Sequence, residues 1–215
     1  MNLTKISDLL TAASLAVNNT QNNPAVQQQL EAYGLRAAQL QTGKRRLHTL
    51  QLKHSTYIQL QNERWALSQQ INASLLATRD LFKDHARIAM VAFHHNPALI
   101  QALSIRPLAS RRWECVRQAD HFYQQLQDRA LCLKTFGIGS EEIRQIHANV
   151  KQLLRLKEER VHKKGLSERG TQDRRQAQND LRDWVMEFRS IARVAFHSQP
   201  QVLDIFGIRV AAAVQ

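Results

Sequence analysis

The 215-residue sequence predicts an all-α protein, a pseudo-twofold bundle of long antiparallel helices built by internal duplication with a period of 103 residues. Three observations carry this expectation. Residues 79–106, RDLFKDHARIAMVAFHHNPALIQALSIR, and residues 182–209, RDWVMEFRSIARVAFHSQPQVLDIFGIR, align without a gap at 11 of 28 positions. There are only 7 Gly and 4 Pro, while Gln, Leu, Ala and Arg, all good helix formers, are abundant. No stretch sustains the period-two alternation that a sheet requires.

The same offset recurs in the chain's punctuation. Tyr33-Gly34-Leu35 falls on Phe136-Gly137-Ile138, and Leu103-Ser104-Ile105 on Phe206-Gly207-Ile208. Each reads as a helix end, with a left-handed residue followed by an apolar one that folds back on the helix. These stops are 70, 33 and 70 residues apart, the rhythm of a repeated domain-sized unit rather than a short-repeat solenoid. The expected division is residues 1–106 and 107–215, two helical repeats packed as one domain.

The first repeat opens with an amphipathic helix over residues 3–18, carrying Leu3, Ile6, Leu10, Ala13 and Val17 on one stripe. Its apolar run is broken by Asp8, Thr11 and Ser14, unlike a signal peptide, and no run approaches the length of a membrane span. Asn18 to Asn23 predicts a loop or kink, after which Pro24 opens a short helix to Tyr33. Residues 44–96 lack Gly and Pro and predict one long helix with a coiled-coil-like stripe through Leu47, Leu50, Ile58, Trp65, Ile71, Leu75, Phe82, Ile88 and Val91. Pro97 starts a short helix to Leu103.

In the second repeat, Leu108 to Thr135 predicts one helix, with Trp113, Val116, Ala119, Tyr123, Leu126, Ala130 and Leu133 inward. It has no proline, so the kink is expected in the first repeat alone. Ser140 is placed as an N-cap ahead of Glu141 and Glu142. Residues 151–175, with nine Lys+Arg, four Asp+Glu and two glycines, allow either a hairpin or the middle of a second long helix. The counterpart residues 61–67 contain no turn signal, which favours continuity and a basic arm beyond the bundle. The small apolar end, Val210 to Gln215, is either a packed tail or a self-association element.

Net charge is +12, and both halves are basic. The plain reading is a solvated basic surface; the sharper one is contact with nucleic acid or anionic lipid. Candidate anion contacts are Lys44, Arg45, Arg46, Lys163, Lys164, Arg174 and Arg175. Trp65, Trp113 and Trp184 fall on apolar stripes and read as core anchors. Cys115 and Cys132, 17 positions apart on one expected helix, would lie about 25 Å apart, too far for a disulfide. They read as small core residues in a reducing, cytoplasmic setting.

His94 and His197 occupy equivalent helix ends, where a ring nitrogen can meet the last carbonyls. A two-histidine metal or acid–base site is the sharper alternative. Glu159 and His162 have a metal-ligand spacing but lie in the charged segment and have no copy. No nucleophile elbow, phosphate loop or Cys-x-x-Cys occurs. The expectation is therefore a non-enzymatic structural or protein-interaction bundle, without catalytic, metal or cofactor residues, whose partner is itself or another protein. Binding of nucleic acid or anionic membrane is the alternative.

Thr171, Arg174, Ala177, Leu181, Trp184, Phe188, the run Ile191 to Ala195, Pro200 and Gly207-Ile208 resemble the C-terminal part of a group of uncharacterised bacterial helical proteins with tandem duplication. That resemblance covers under a fifth of the chain. It implies a bacterial helical protein and brings no activity.

Overall fold

The computed structural model describes residues 3–105, 109 and 111–209, without the side chains of residues 130 and 131. Of these residues 86% are helical and none is in a strand. The expected tail from Val210 to Gln215 lies outside the described residues, as does Leu108.

Helix α1 spans Ile6–Gln21 and α2 spans Pro24–Ala32. The interruption expected over Asn18 to Asn23 shrinks to Asn22 and Asn23. Thr20 is buried and returns its hydroxyl to the Ala16 carbonyl at 2.7 Å, and Asn19 donates to the Ile205 carbonyl at 2.6 Å. Tertiary contacts thus hold residues 18–21 helical against their local preference for turns. Asn23 caps α2 by accepting from the Val26 amide, and Pro24 occupies the first helical turn.

Helix α3 spans Ala37–Ala92 and begins seven residues before its expected start at Lys44. Gln39 Oε1 accepts from the Arg36 amide at 2.7 Å and satisfies that end. Gly43 therefore lies inside the helix. Helix α4, Pro97–Ala102, is capped by Asn96, which accepts from Leu99 at 3.1 Å.

Helix α5, Arg112–Leu126, passes into a 3-10 helix over Gln127–Phe136, which corrects the expectation of one helix. Gln127 lies 103 positions after Pro24, so a break expected in the first repeat alone also occurs at the matching offset, without a proline. Leu126 and Leu133 on either side of it are fully buried. Cys132, next to the buried Leu133, is exposed, whereas Cys115 is buried. The core position expected for Cys132 is thereby overturned.

Helix α6, Ser140–Ala195, is continuous through the charged segment and both of its glycines. Ser140 is its first helical residue rather than a cap, and the Gly139 carbonyl accepts from Ile143. A 3-10 helix over Pro200–Phe206 closes the described chain. Helices α3 and α6 each have 56 residues, and their bounds differ by 103 at both ends.

All four stops have the expected geometry. Gly34, Gly137 and Gly207 take φ of 98°, 82° and 64°, and Ser104 takes 51°. The next residue's amide returns to the carbonyl five positions back in each case: Leu35 to Leu30, Ile105 to Ile100, Ile138 to Leu133 and Ile208 to Leu203.

The chain divides into two compact units. Unit 1 is residues 1–60 with 166–215, and unit 2 is residues 61–165. Each draws on both expected repeats, and each takes half of α3 and half of α6. Unit 1 packs Leu9, Ala13, Leu30 and Leu50 with Leu181, Trp184, Phe188 and Phe206. Within it, partners on α3 and α6 run in opposite order: Gln39 with Trp184, Arg46 with Asp180, Lys53 with Asp173. Unit 2 packs Ile71, Phe82 and Ala89 with Phe122, Tyr123, Leu126, Ile143 and Val150.

Between Leu50 and Leu67 no α3 residue joins either core. Ile58 falls in that gap and is exposed; Trp65, at its edge, is 68% exposed and is not the core anchor expected. Val91 is exposed as well. Of the tryptophans only Trp184 is fully buried, while Trp113 is partly buried with Lys157 Nζ 5.3 Å from its ring centroid.

Candidate functional site

The seven basic candidates do not act alike. Lys44, Arg45 and Arg175 are exposed in unit 1, and Arg45 reaches Thr42 Oγ1 at 3.2 Å. Arg46 is half-buried and donates to the Asp180 carbonyl at 2.9 Å. Arg174 lies over the Tyr57 ring at 4.0 Å. In unit 2, Lys163 binds Glu63 at 2.8 Å and Glu159 at 3.7 Å, while Lys164 is exposed. Its hydrogen bond to Glu63 raises the Lys163 pKa. Arg46, Arg174 and Lys163 are thus committed to contacts between α3 and α6, and Lys163 and Lys164 belong to a different unit from the others.

His94 Nδ1 lies 2.8 Å from the Val91 carbonyl, the helix-end role that its position implies. His94 and His197 are both exposed and belong to different units. Glu159 is engaged with Lys163, and His162 is exposed. Among the described residues no group of three or more His, Cys, Asp or Glu is arranged to hold a metal ion, and no helix is long and apolar enough to cross a membrane.

The two buried histidines lie elsewhere, in unit 2. Tyr123 on α5 is fully buried, with its hydroxyl 3.2 Å from His85 Nδ1 on α3. Glu142 Oε1 on α6 stands 3.6 Å from His85 Nε2. A carboxylate there favours a proton on Nε2, so the phenol donates into Nδ1. Burial lowers the His85 pKa below its ordinary 6.5, against the opposing fields of Glu142 and Asp84. Burial also pushes the Tyr123 phenol well above its ordinary value, with Glu142 adding to it. A second buried histidine, His147, faces Asp120 Oδ1 at 3.0 Å and Gln127 Nε2 at 2.8 Å. The Gln127 amide donates to Nδ1 and the Nε2 proton goes to Asp120. Both rings are satisfied and shut away from solvent, which suits a structural role better than turnover.

The sequence places Tyr123 on an inward stripe but singles out neither His85 nor His147. The signal for His85 is nonetheless present in the sequence: Phe82, His85 and Ala89 continue one stripe at spacings of three and four. The counterpart of His85 at the 103-residue offset is Phe188, a core residue of unit 1.

Three large apolar side chains on one side of α3 in unit 2 are exposed, with the exposed Asn72 and Lys83 between them on the same side. Trp65, Leu76 and Met90 are 68%, 63% and 50% exposed. At 100° per residue they lie within about 40° of one line along the helix. No protein-family model matches the chain, and the comparisons with curated proteins and with solved structures also yield no match.

Proposed function

We propose that this chain is a non-enzymatic structural or protein-interaction protein that associates with itself through exposed helix faces. The observation that carries this reading is the line of Trp65, Leu76 and Met90 on α3. Large apolar side chains aligned on one helix face mark contact surfaces in soluble proteins. The histidine clusters support the reading because their polar groups are spent on one another. The architecture proposed beneath it is two copies of one helical unit, arranged as a pseudo-twofold antiparallel bundle. Equal helix bounds at the 103-residue offset and the reversed partner order of α3 and α6 support that arrangement. A cytoplasmic setting accords with two unpaired cysteines.

Light scattering across a concentration series tests the proposal. Mass is expected to rise above 24.7 kDa with concentration, and Trp65→Ser with Leu76→Ser to return it to the monomer value. A strict monomer at all concentrations overturns self-association.

The net charge of +12, with exposed Lys44, Arg45, Lys164 and Arg175, favours a second reading, electrostatic binding of nucleic acid or anionic membrane. Its affinity should fall steeply with salt, as counterion release requires. No binding of DNA, RNA or anionic vesicles at low salt removes it.

A further inference from the structure

Unit 2 contains a cleft of about 370 Å³ between α3 and the start of α5. Such a volume lies within the range of small-molecule sites. Its apolar side is formed by Leu75, Leu76 and Val116, with the buried Cys115 and Thr78 beside them. Two exposed arginines, Arg79 and Arg112, also line it, and Arg112 Nη1 lies 3.5 Å from Asn72 Oδ1. No carboxylate is among the described lining residues. The Arg79 guanidinium is near enough to Cys115 for its charge to oppose the rise that burial imposes on the thiol pKa.

The counterpart positions in unit 1 show what this register does when it is closed. Arg112 corresponds to Leu9, Cys115 to Ala12 and Val116 to Ala13, all buried to 2% exposure or less. Arg79 corresponds to Arg182, whose Nε donates to the Leu3 carbonyl at 3.3 Å. The counterpart of Leu3 is Arg106, outside the described residues. Unit 2 keeps the arginine and places a second cation where unit 1 has a fully buried leucine. Packing alone gives no reason for that exchange, since an arginine cannot replace what a buried leucine contributes to a core.

We infer that this cleft is a binding site for a small amphiphilic anion, a carboxylate carrying an apolar body. The two guanidinium groups receive the carboxylate through charge-assisted hydrogen bonds, and the Leu75–Val116 side takes the apolar part. The inference does not rest on self-association or on nucleic-acid binding, although Leu76 belongs both to this cleft and to the exposed line on α3.

Cys115 provides the readout. In the full chain carrying Cys132→Ser, Cys115 is the sole thiol, and its alkylation by N-ethylmaleimide reports access to the cleft. Octanoate is expected to slow alkylation saturably, whereas octanol and inorganic phosphate at equal concentration leave the rate nearly unchanged. Arg79→Gln and Arg112→Gln are each expected to raise the half-protecting octanoate concentration about tenfold, the equivalent of ~1.4 kcal/mol from one charge-assisted bond. Circular dichroism verifies that these variants at exposed positions keep their helix content. Arg112→Leu, which restores the unit 1 residue, is a second arm and should abolish protection. Equal protection by octanol or by phosphate, no protection by octanoate, or protection unchanged in the folded arginine variants overturns the inference.

Discussion

The indole of Trp184 lies against the backbone of Gly43, and its Nε1 donates to the Gln39 carbonyl at 3.0 Å. A Cβ on Gly43 would clash with the six-membered ring of that indole. The absence of a side chain on α3 is what lets the largest side chain of α6 bury to 3% exposure in unit 1. The hydrogen bond meanwhile satisfies the one polar atom of the indole.

Gly43→Ala should therefore lower stability although alanine is the better helix former. The helix gains about 1 kcal/mol from propensity. Displacing the indole costs about 1–3 kcal/mol as overpacking, and more if the bond to Gln39 is lost. A net loss of up to about 2 kcal/mol is expected from these opposing effects, and more if the bond is broken. Gly165→Ala is the contrast, because a Cβ there meets nothing within 4 Å. It should raise stability by about 0.5–1 kcal/mol. Urea denaturation of the two variants checks the opposite signs.

The left-handed stops make a second pair. Ser104 holds φ 51° at the position where its counterpart Gly207 holds 64°. An L-residue there costs about 1 kcal/mol that glycine avoids, so Ser104→Gly should stabilise by about that much. Gly137→Ala, at φ 82°, should destabilise by about 1 kcal/mol. Thermal or urea midpoints read both.

The pH dependence of stability should carry the mark of His85. Its pKa is lowered in the folded state, chiefly by burial, while Glu142 from α6 and Asp84 on its own helix oppose the shift and Tyr123 from α5 holds Nδ1. The unfolded chain then binds the proton more readily. The neutral ring's contribution is complete above the ordinary value of 6.5 and is lost as pH falls through the lower folded value. The melting temperature should drop between pH 7 and 5. His85→Phe with Tyr123→Phe, which removes both polar groups together, should flatten that drop. An identical slope in the double variant would show that other groups carry it.

Asp120→Ala tests the second buried histidine. His147 is 2% exposed and gives its Nε2 proton to Asp120 at 3.0 Å. Without the acceptor a buried donor is stranded, at a cost of about 1–3 kcal/mol. Asp120→Asn keeps an acceptor and should recover most of the loss.

What could be read from sequence was local in origin. Pro24 and Pro97 opening helices and glycines in the left-handed region closing them depend on the φ and ψ of a few residues. The continuity of α6 through Gly165 and Gly170 was legible by comparison with the glycine-free counterpart in α3. Helix content follows from the same local energies, repeated along the chain.

Tertiary structure decided what depends on the neighbour. Gly43 had been placed outside α3 because glycine is a poor helix former, but it sits within the helix because Trp184 requires the space. Trp65 and Phe82 share apolar character in sequence, yet one is 68% exposed and the other 1%. Burial is set by whether another helix covers that particular turn, and each long helix divides its length between two cores. His85 and Tyr123, 38 positions apart, meet only when α3 and α5 pack, which is why spacing along the chain can put each on an inward stripe but cannot pair them. Backbone preference is summed over neighbouring residues and survives in the sequence, whereas a contact between distant residues exists only once the chain has folded.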